Sequence, residues 1–96
     1  MPKVVMYTTT VCPYCIRAKN LLQRKGVSYE EFNIELNHSL AQECFTRSQR
    51  RTVPQIFIDD FHAGGYDDLA ELDAMGKLDG LLGIPENPSE DSASQI

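Results

Sequence analysis

The sequence predicts one α/β domain in which a mixed four-stranded sheet is flanked by three or more helices, in the order β-α-β-α-β-β-α. Two observations predict this class. Short apolar runs typical of buried strands alternate with longer stretches of helical periodicity. The motif Cys12-Pro13-Tyr14-Cys15 stands where the first strand-like run gives way to the first helical stretch. We therefore expect a layered α/β domain with paired thiols at a strand–helix junction.

Length, charge and cysteine content limit the class of protein. A chain of 96 residues is large enough for one core, and its formal net charge of −5 disfavours nonspecific binding to nucleic acid or anionic membranes. The apolar runs fall short of the ~20 residues of a membrane span, and the N-terminus lacks a signal-peptide pattern. Three cysteines without an export signal favour a reducing compartment. We expect a cytoplasmic protein that binds neither nucleic acid nor membrane.

The first third of the chain predicts a β-α-β unit. Residues 3–7 are rich in valine and indicate a buried strand, residues 13–25 indicate an amphipathic helix, and residues 27–34 indicate a second strand. Such a unit predicts parallel strands with a right-handed crossover. The apolar residues of the second strand change phase between Tyr29 and Phe32, which is typical of a bulge or a late kink.

A second helix is predicted for residues 37–48. Ser39 and Gln42 have the spacing of a capping box if Ser39 is the cap of this helix. Cys44 lies on the apolar face of this helix, and we interpret it as a core thiol because free cysteine behaves as a small buried hydrophobe. A regulatory or glutathionylated thiol is the alternative.

The next segment predicts a hairpin. Residues 55–58 and 61–63 indicate strands joined by a tight turn at Asp59-Asp60, with Pro54 at the start of the first, where a strand tolerates proline. Gly64-Gly65 follow the hairpin. Paired glycines there predict a positive φ or a close backbone approach.

A third helix and a tail complete the chain. Asp67 or Asp68 is the expected cap of this helix, which ends at Gly76 and leaves room for one more helical turn. Beyond that the chain is acidic, serine-rich and interrupted by proline, with little to bury. We therefore expect a domain of residues 1–83 followed by a flexible acidic tail of residues 84–96.

The chemistry is concentrated in Cys12 and Cys15. At i and i+3 the two thiols are neighbours on one helical turn and can close a small disulfide. Pro13 suits the first helical position, which places Cys12 at the N-cap. Free backbone N–H groups and the helix dipole stabilise a thiolate there. The spacing predicts that Cys12 is the attacking thiol and Cys15 the resolving one.

Two alternatives to redox chemistry are half of a zinc site and a pair of inert core thiols. A zinc site usually needs a second pair of ligands. The remaining candidates, Cys44, His38 and His62, lack close ligand spacing. We therefore predict no metal site and interpret both histidines as surface or strand residues.

Three separated motifs carry a resemblance to a known family. They are Cys12-Pro13-Tyr14-Cys15, Thr52-Val53-Pro54 and Gly64-Gly65-Tyr66-Asp67-Asp68. Together they resemble the glutaredoxin family of the thioredoxin fold, over residues 3–82, and the dithiol motif resembles its classical branch. The resemblance implies a glutathione-dependent thiol–disulfide oxidoreductase of cell redox homeostasis, which reduces protein disulfides and glutathione mixed disulfides with Cys12 and Cys15 as catalytic residues.

The resemblance also implies a groove for glutathione. Pro54 corresponds to a cis proline of the family, which leaves the Val53 backbone free to pair with the cysteinyl moiety. The γ-glutamyl end is expected at the start of the last helix. Thr9 stands where many members have a lysine; a nearby arginine could replace that charge, and the alternative is that the arginines form a solvated cluster at a helix end. The candidate arginines are Arg47, Arg50 and Arg51, and the implied groove residues are Tyr14, Thr52, Val53, Pro54, Gly65, Tyr66, Asp67 and Asp68.

The same resemblance implies a monomer with glutathione as co-substrate and no tightly bound cofactor. Its partners would be glutathione and disulfide-containing or glutathionylated proteins, ribonucleotide reductase among them. One alternative is a redoxin reduced directly by thioredoxin reductase, which the implied glutathione groove disfavours. The other is an iron–sulfur scaffold that bridges a cluster between the Cys12 residues of two chains and two glutathiones. Members of that kind usually have CGFS, so Pro13 and Cys15 disfavour it.

Overall fold

A computed structural model describes residues 2–84 of the chain. The order of elements confirms the predicted β-α-β-α-β-β-α arrangement and its additional helical turn. Residues 85–96, most of the predicted tail, lie outside the described residues, so the division into domain and tail stays a prediction. The elements are β1 (Val4–Thr8), α1 (Pro13–Arg24), β2 (Glu30–Asn33), α2 (His38–Ser48), β3 (Gln55–Ile58), β4 (Phe61–Gly64), α3 (Tyr66–Ala74) and α4 (Leu78–Leu81).

The sheet has the strand order β2-β1-β3-β4. β1 is parallel to β2 and antiparallel to β3, and β3 is antiparallel to β4, which confirms a mixed four-stranded sheet. In the β1–β3 pair Tyr7 lies opposite Gln55, so the end of β1 lies beside the start of β3. The loop that leads to Cys12 and the loop that contains Pro54 therefore emerge at the same end of the two central strands.

Both faces of the sheet are covered, and β1 is buried along its whole length. Because successive side chains of a strand point to opposite faces, Met6 belongs to a larger core and Tyr7 to a smaller one. The smaller core contains Cys44, which is 2% exposed, confirming it as a core thiol. Burial raises the pKa of its thiol, which disfavours the reactive thiolate. The larger core includes Ala18, Leu21, Leu22, Ile56, Leu69, Leu78 and Leu82.

The second strand differs from its prediction in length and in geometry. β2 covers four residues rather than residues 27–34, and its pairing with β1 is continuous. Tyr29 packs against the larger core and Phe32 against the smaller one. The change of phase therefore reflects alternation towards two buried faces, and the predicted bulge is wrong. The irregular register lies instead in the β3–β4 pair, between Ile56 and Phe57.

Two predicted helix caps are also wrong. The N-cap of α2 is Asn37, whose Oδ1 accepts a hydrogen bond from the Leu40 N–H at 3.1 Å, rather than Ser39. The N-cap of α3 is Gly65 rather than either aspartate. Asp68 lies within the first turn and accepts from the Gly65 N–H at 3.0 Å. Its carboxylate thus satisfies an otherwise unpaired donor at the helix start from inside the helix.

Lys25 forms ion pairs that link three helices covering the larger core. Nζ of Lys25, at the end of α1, lies 2.6 Å from Asp73 in α3 and 2.8 Å from Asp79 in α4. Hydrogen bonding to Asp73, then to Asp79, raises the pKa of Lys25. Exposed pairs of this kind are worth about 0.2–1 kcal/mol each.

Within residues 2–84, no helix has the length and apolar character needed to cross a membrane.

Candidate active site

The paired thiols lie at the N-terminus of α1. Cys12 has the extended backbone of an N-cap and Pro13 is the first helical residue, which confirms the predicted placement. The two sulfurs are joined in a disulfide, and the Cys15 N–H donates to Cys12 Sγ at 3.1 Å. Cys12 is 8% exposed and Cys15 is 1% exposed. The two sulfurs are therefore unequal, with Cys12 the more accessible and in contact with a helix-terminal N–H.

A cleft of about 310 Å³ adjoins this helix. It brings together every residue predicted to bind glutathione and adds one of the three candidate arginines. We call this cleft the groove. Its lining residues are Tyr14, Arg50, Thr52, Val53, Pro54, Gly65, Tyr66, Asp67 and Asp68.

The backbone on both sides of the groove has the predicted features. The Val53–Pro54 bond is cis. Gly64 has a φ of +101°, and a Cβ there would lie 2.7 Å from Asp68 Cγ. A Cβ on Gly65 would lie 3.4 Å from the carbonyl oxygen of Pro54. The paired glycines therefore serve both predicted purposes, a positive φ and a close backbone approach.

Asp68 and Arg50 form the charged part of the groove. Asp68 Oδ2 accepts from Arg50 Nη1 at 2.8 Å and from the Gly65 N–H at 3.0 Å. The bond from Arg50, followed by that from Gly65, lowers the pKa of Asp68. The carboxylate is therefore held ionised, with a guanidinium beside it.

The other two candidate arginines have different neighbours. Arg47 Nη1 donates to the Tyr7 hydroxyl at 2.9 Å, and its guanidinium lies 4.0 Å from the centre of the Phe57 ring. Arg51 lies over Phe45 at 4.4 Å. Only Arg50 among the three lines the groove.

An aromatic pair connects the thiol helix to α3. The rings of Tyr14 and Tyr66 stack with centroids 6.3 Å apart. Tyr14 is 52% exposed and also lies beneath the guanidinium of Arg17, at 5.3 Å. The pair gives the groove an apolar wall next to the disulfide.

Sequence reasoning missed Gln55, which is buried at the start of β3 and bonded to Thr52 of the groove and to His62 of β4. The available signal was a polar residue at the head of an apolar strand.

His38 is exposed at the start of α2, as interpreted. Across residues 2–84, no group of three or more His, Cys, Asp or Glu side chains is arranged to hold a metal ion.

Comparisons with known proteins agree with this geometry. A family model described as Glutaredoxin matches residues 4–63. The chain is 54% identical over 82 residues to "Glutaredoxin" of Pseudomonas aeruginosa, a match covering 85% of this chain and 98% of the relative. It is 56% identical over 82 residues to "Glutaredoxin 3" of Escherichia coli, covering 85% and 99%.

Solved structures give the same result. A crystal structure of a buckwheat glutaredoxin–glutathione complex superposes with a TM-score of 0.78 at 29% identity, covering 85% of this chain and 77% of that one. The solution structure of glutaredoxin from Brucella melitensis superposes with a TM-score of 0.76 at 50% identity, covering 85% and 89%.

Proposed function

The chain belongs to the glutaredoxin family, and from this premise we propose which of its residues carry out the reaction. It is a glutathione-dependent thiol–disulfide oxidoreductase with a thioredoxin fold. The observation that carries the residue assignment is the junction of a disulfide at the start of α1 with a groove built from three separated motifs. In this assignment Cys12 is the nucleophile, Cys15 the resolving thiol and the groove the glutathione site.

Cys12 reacts as a thiolate. In the reduced protein the α1 terminus and the Cys15 N–H stabilise its negative charge. The thiolate attacks the glutathione sulfur of a glutathionylated protein, the protein thiolate leaves, and a Cys12–glutathione disulfide forms. A second glutathione thiolate then attacks the glutathione sulfur of that disulfide. Glutathione disulfide is released and the Cys12 thiolate is regenerated.

Protein disulfides require both cysteines. Cys12 attacks one sulfur of the substrate and forms a mixed disulfide, and the other substrate sulfur leaves as a thiolate. Cys15 then attacks Cys12 Sγ, the reduced protein departs, and the Cys12–Cys15 disulfide closes. This disulfide is the form seen in the structure. Two glutathione molecules reduce it and leave as glutathione disulfide.

The groove supplies complementary groups for each part of glutathione. The Val53 backbone pairs with the cysteinyl moiety as a strand would. The N-terminus of α3 suits the γ-glutamyl carboxylate, and the ionised side chain of Asp68 suits its ammonium group. Arg50 supplies a positive charge for a glutathione carboxylate. It thereby replaces the lysine that many family members have at the position of Thr9.

The finer assignments are part of the same proposal. The protein functions as a monomeric domain of residues 1–83 in the cytoplasm, with glutathione as co-substrate and no tightly bound cofactor. Its substrates are disulfide-containing or glutathionylated proteins, and ribonucleotide reductase is one candidate. The dithiol motif supports this range, because protein disulfides need a resolving thiol.

Turnover of a small glutathione mixed disulfide tests the function directly. With glutathione, glutathione reductase and NADPH, we expect NADPH consumption that depends on the protein and on glutathione. Thioredoxin reductase replacing the glutathione system should support no comparable rate. Equal rates with thioredoxin reductase alone would favour a redoxin that thioredoxin reductase reduces directly. Visible absorbance of an iron–sulfur cluster after anaerobic purification would favour an iron–sulfur scaffold.

Replacing Arg50 with alanine should raise the pKa of Asp68, because the guanidinium is the largest cause of its lowering. A carboxylate with a lowered pKa contributes stability above its unfolded pKa and loses it as the pH falls through the folded value. The difference in unfolding free energy between wild type and Arg50→Ala should therefore shrink in acid. NMR titration of the Asp68 carboxyl and urea unfolding at several pH values measure both effects.

The matched control is Arg51→Ala, since Arg51 lies over Phe45 and does not line the groove. An exposed pair such as Arg50–Asp68 is worth about 0.2–1 kcal/mol. An Asp68 pKa that moves equally in both variants would show that the Arg50 contact does not set it.

A further inference from the structure

Gln55 is a buried polar side chain directly behind the groove. It is 0% exposed, and its three strand neighbours in β3 are apolar. Its Nε2 lies 3.1 Å from both the carbonyl oxygen and the hydroxyl of Thr52. Its Oε1 lies 2.7 Å from His62 Nε2. Burial of an amide is costly unless each polar atom has a partner, and Thr52 and His62 together partner all of them.

The Thr52 carbonyl determines the orientation of this amide. A carbonyl oxygen only accepts hydrogen bonds, so the NH₂ end of Gln55 faces Thr52 and its oxygen faces His62. His62 Nε2 must then carry a hydrogen. Burial, followed by the charge of Arg50, lowers the pKa of His62, so the neutral Nε2–H form is the donor. Stacking on Phe57, at a centroid distance of 4.7 Å, fixes the imidazole plane.

The bond to Thr52 reaches the groove through a single peptide plane. The Thr52 carbonyl and the Val53 N–H belong to the same planar trans unit and point in opposite directions. Fixing the carbonyl on the buried side therefore fixes the direction of the Val53 N–H. A peptide free to rotate would present that N–H in several directions, and pairing with a ligand would have to order it first.

We infer that Gln55 and His62 are positioning residues that orient the Val53 backbone for main-chain pairing with glutathione. The inference rests on the proposed function, in which Val53 pairs with the cysteinyl moiety. Neither residue touches the thiols. Their replacement should therefore weaken use of glutathione substrates and leave the intrinsic reactivity of Cys12 unchanged.

Gln55→Met tests this, because methionine has a similar length and removes both the donor and the acceptor. We expect kcat/KM for a small glutathione mixed disulfide to fall about tenfold, mainly through KM. The bond that orients the Thr52 carbonyl is the one that matters for the groove, and a single hydrogen bond is worth a factor of this order. The rate of Cys12 alkylation by iodoacetamide in the reduced protein should stay at the wild-type value. Ile58→Val is the matched control, a buried change in the same strand with intact kcat/KM.

Two substitutions of His62 test the same role if Gln55→Met does not fold. His62→Phe keeps an aromatic ring against Phe57 and removes the Nε2 donor, so kcat/KM should fall severalfold. His62→Gln restores an N–H donor and should recover most of the loss. Recovery of this kind is not expected if the ring acts only by packing.

The outcomes distinguish failure of the positioning role from failure of the proposed function. If wild type turns over the mixed disulfide and neither Gln55→Met nor His62→Phe changes kcat/KM, the positioning role is overturned and the proposed function stands. If alkylation falls in parallel with turnover, the residues act on the whole fold and the positioning role is also overturned. A wild type inactive towards the mixed disulfide would overturn the proposed function and this inference with it.

Discussion

Cys12→Ser is expected to abolish reduction of both glutathione mixed disulfides and protein disulfides. A serine hydroxyl is a far weaker nucleophile than a thiolate at neutral pH, and the helix terminus that stabilises sulfur cannot ionise it. The rate should fall to that of glutathione alone. The measurement is NADPH oxidation in the glutathione-coupled assay, with one substrate of each kind.

Cys15→Ser is the matched control, one helical turn away and 1% exposed. It should keep mixed-disulfide reduction, since that cycle uses only Cys12 and glutathione. Reduction of a protein disulfide should decline strongly, because the substrate then remains joined to Cys12. If both variants were equally inactive towards the mixed disulfide, the division of roles between the two thiols would be wrong.

Gly64→Ala is expected to damage both stability and glutathione use. At a φ of +101° an alanine is strained by about 1–3 kcal/mol. Its Cβ would also lie 2.7 Å from Asp68 Cγ and 2.8 Å from Asp68 Cβ, so that side chain must move. Asp68 would then leave the Gly65 N–H and Arg50. We expect lower unfolding free energy in urea together with a severalfold higher KM for the mixed disulfide.

Gly76→Ala separates strain from the effect on the groove. Gly76 also has a positive φ, +74°, but a Cβ there meets no atom within 4 Å. This variant should lose stability through backbone strain alone and keep the wild-type KM. A KM that rises equally in both variants would indicate a general effect of destabilisation rather than displacement of Asp68.

Periodicity predicted most of the fold because each element has a consistent buried face. It failed around β2, where the partly buried side chains of Tyr29 and Phe32 pack on opposite sides of a sheet that is covered on both. When a strand is expected to have one buried face, apolar residues on both of its faces look like an irregularity in the strand. The caps failed for another reason. Asn37 and Ser39 both carry side-chain oxygens near the start of α2, and the path of the incoming chain selects Asn37. At α3 the N-cap is Gly65, and the accepting carboxylate belongs to Asp68 inside the helix.

The groove residues were predictable because they lie in short motifs with a defined resemblance. The choice among three arginines was not, since tertiary neighbours decide where each guanidinium goes. Phe57 and Tyr7 hold Arg47, and Asp68 holds Arg50. Gln55 was missed because one of its two partners, His62, lies on the adjacent strand. Local patterns contain no information on such a cross-strand pair.

The pairing of β1 with β3 brings together two parts of the proposed site that are distant in the chain. Cys12 follows β1 and Pro54 precedes β3, and the two loops meet only after strands distant in the chain have closed a long loop. Loop closure costs conformational entropy before distant contacts repay it. The Cys12 environment at the start of α1 is local in the chain, whereas the groove beside it requires this distant pairing. The proposed preference for glutathione therefore depends on contacts that the thiol helix alone does not supply.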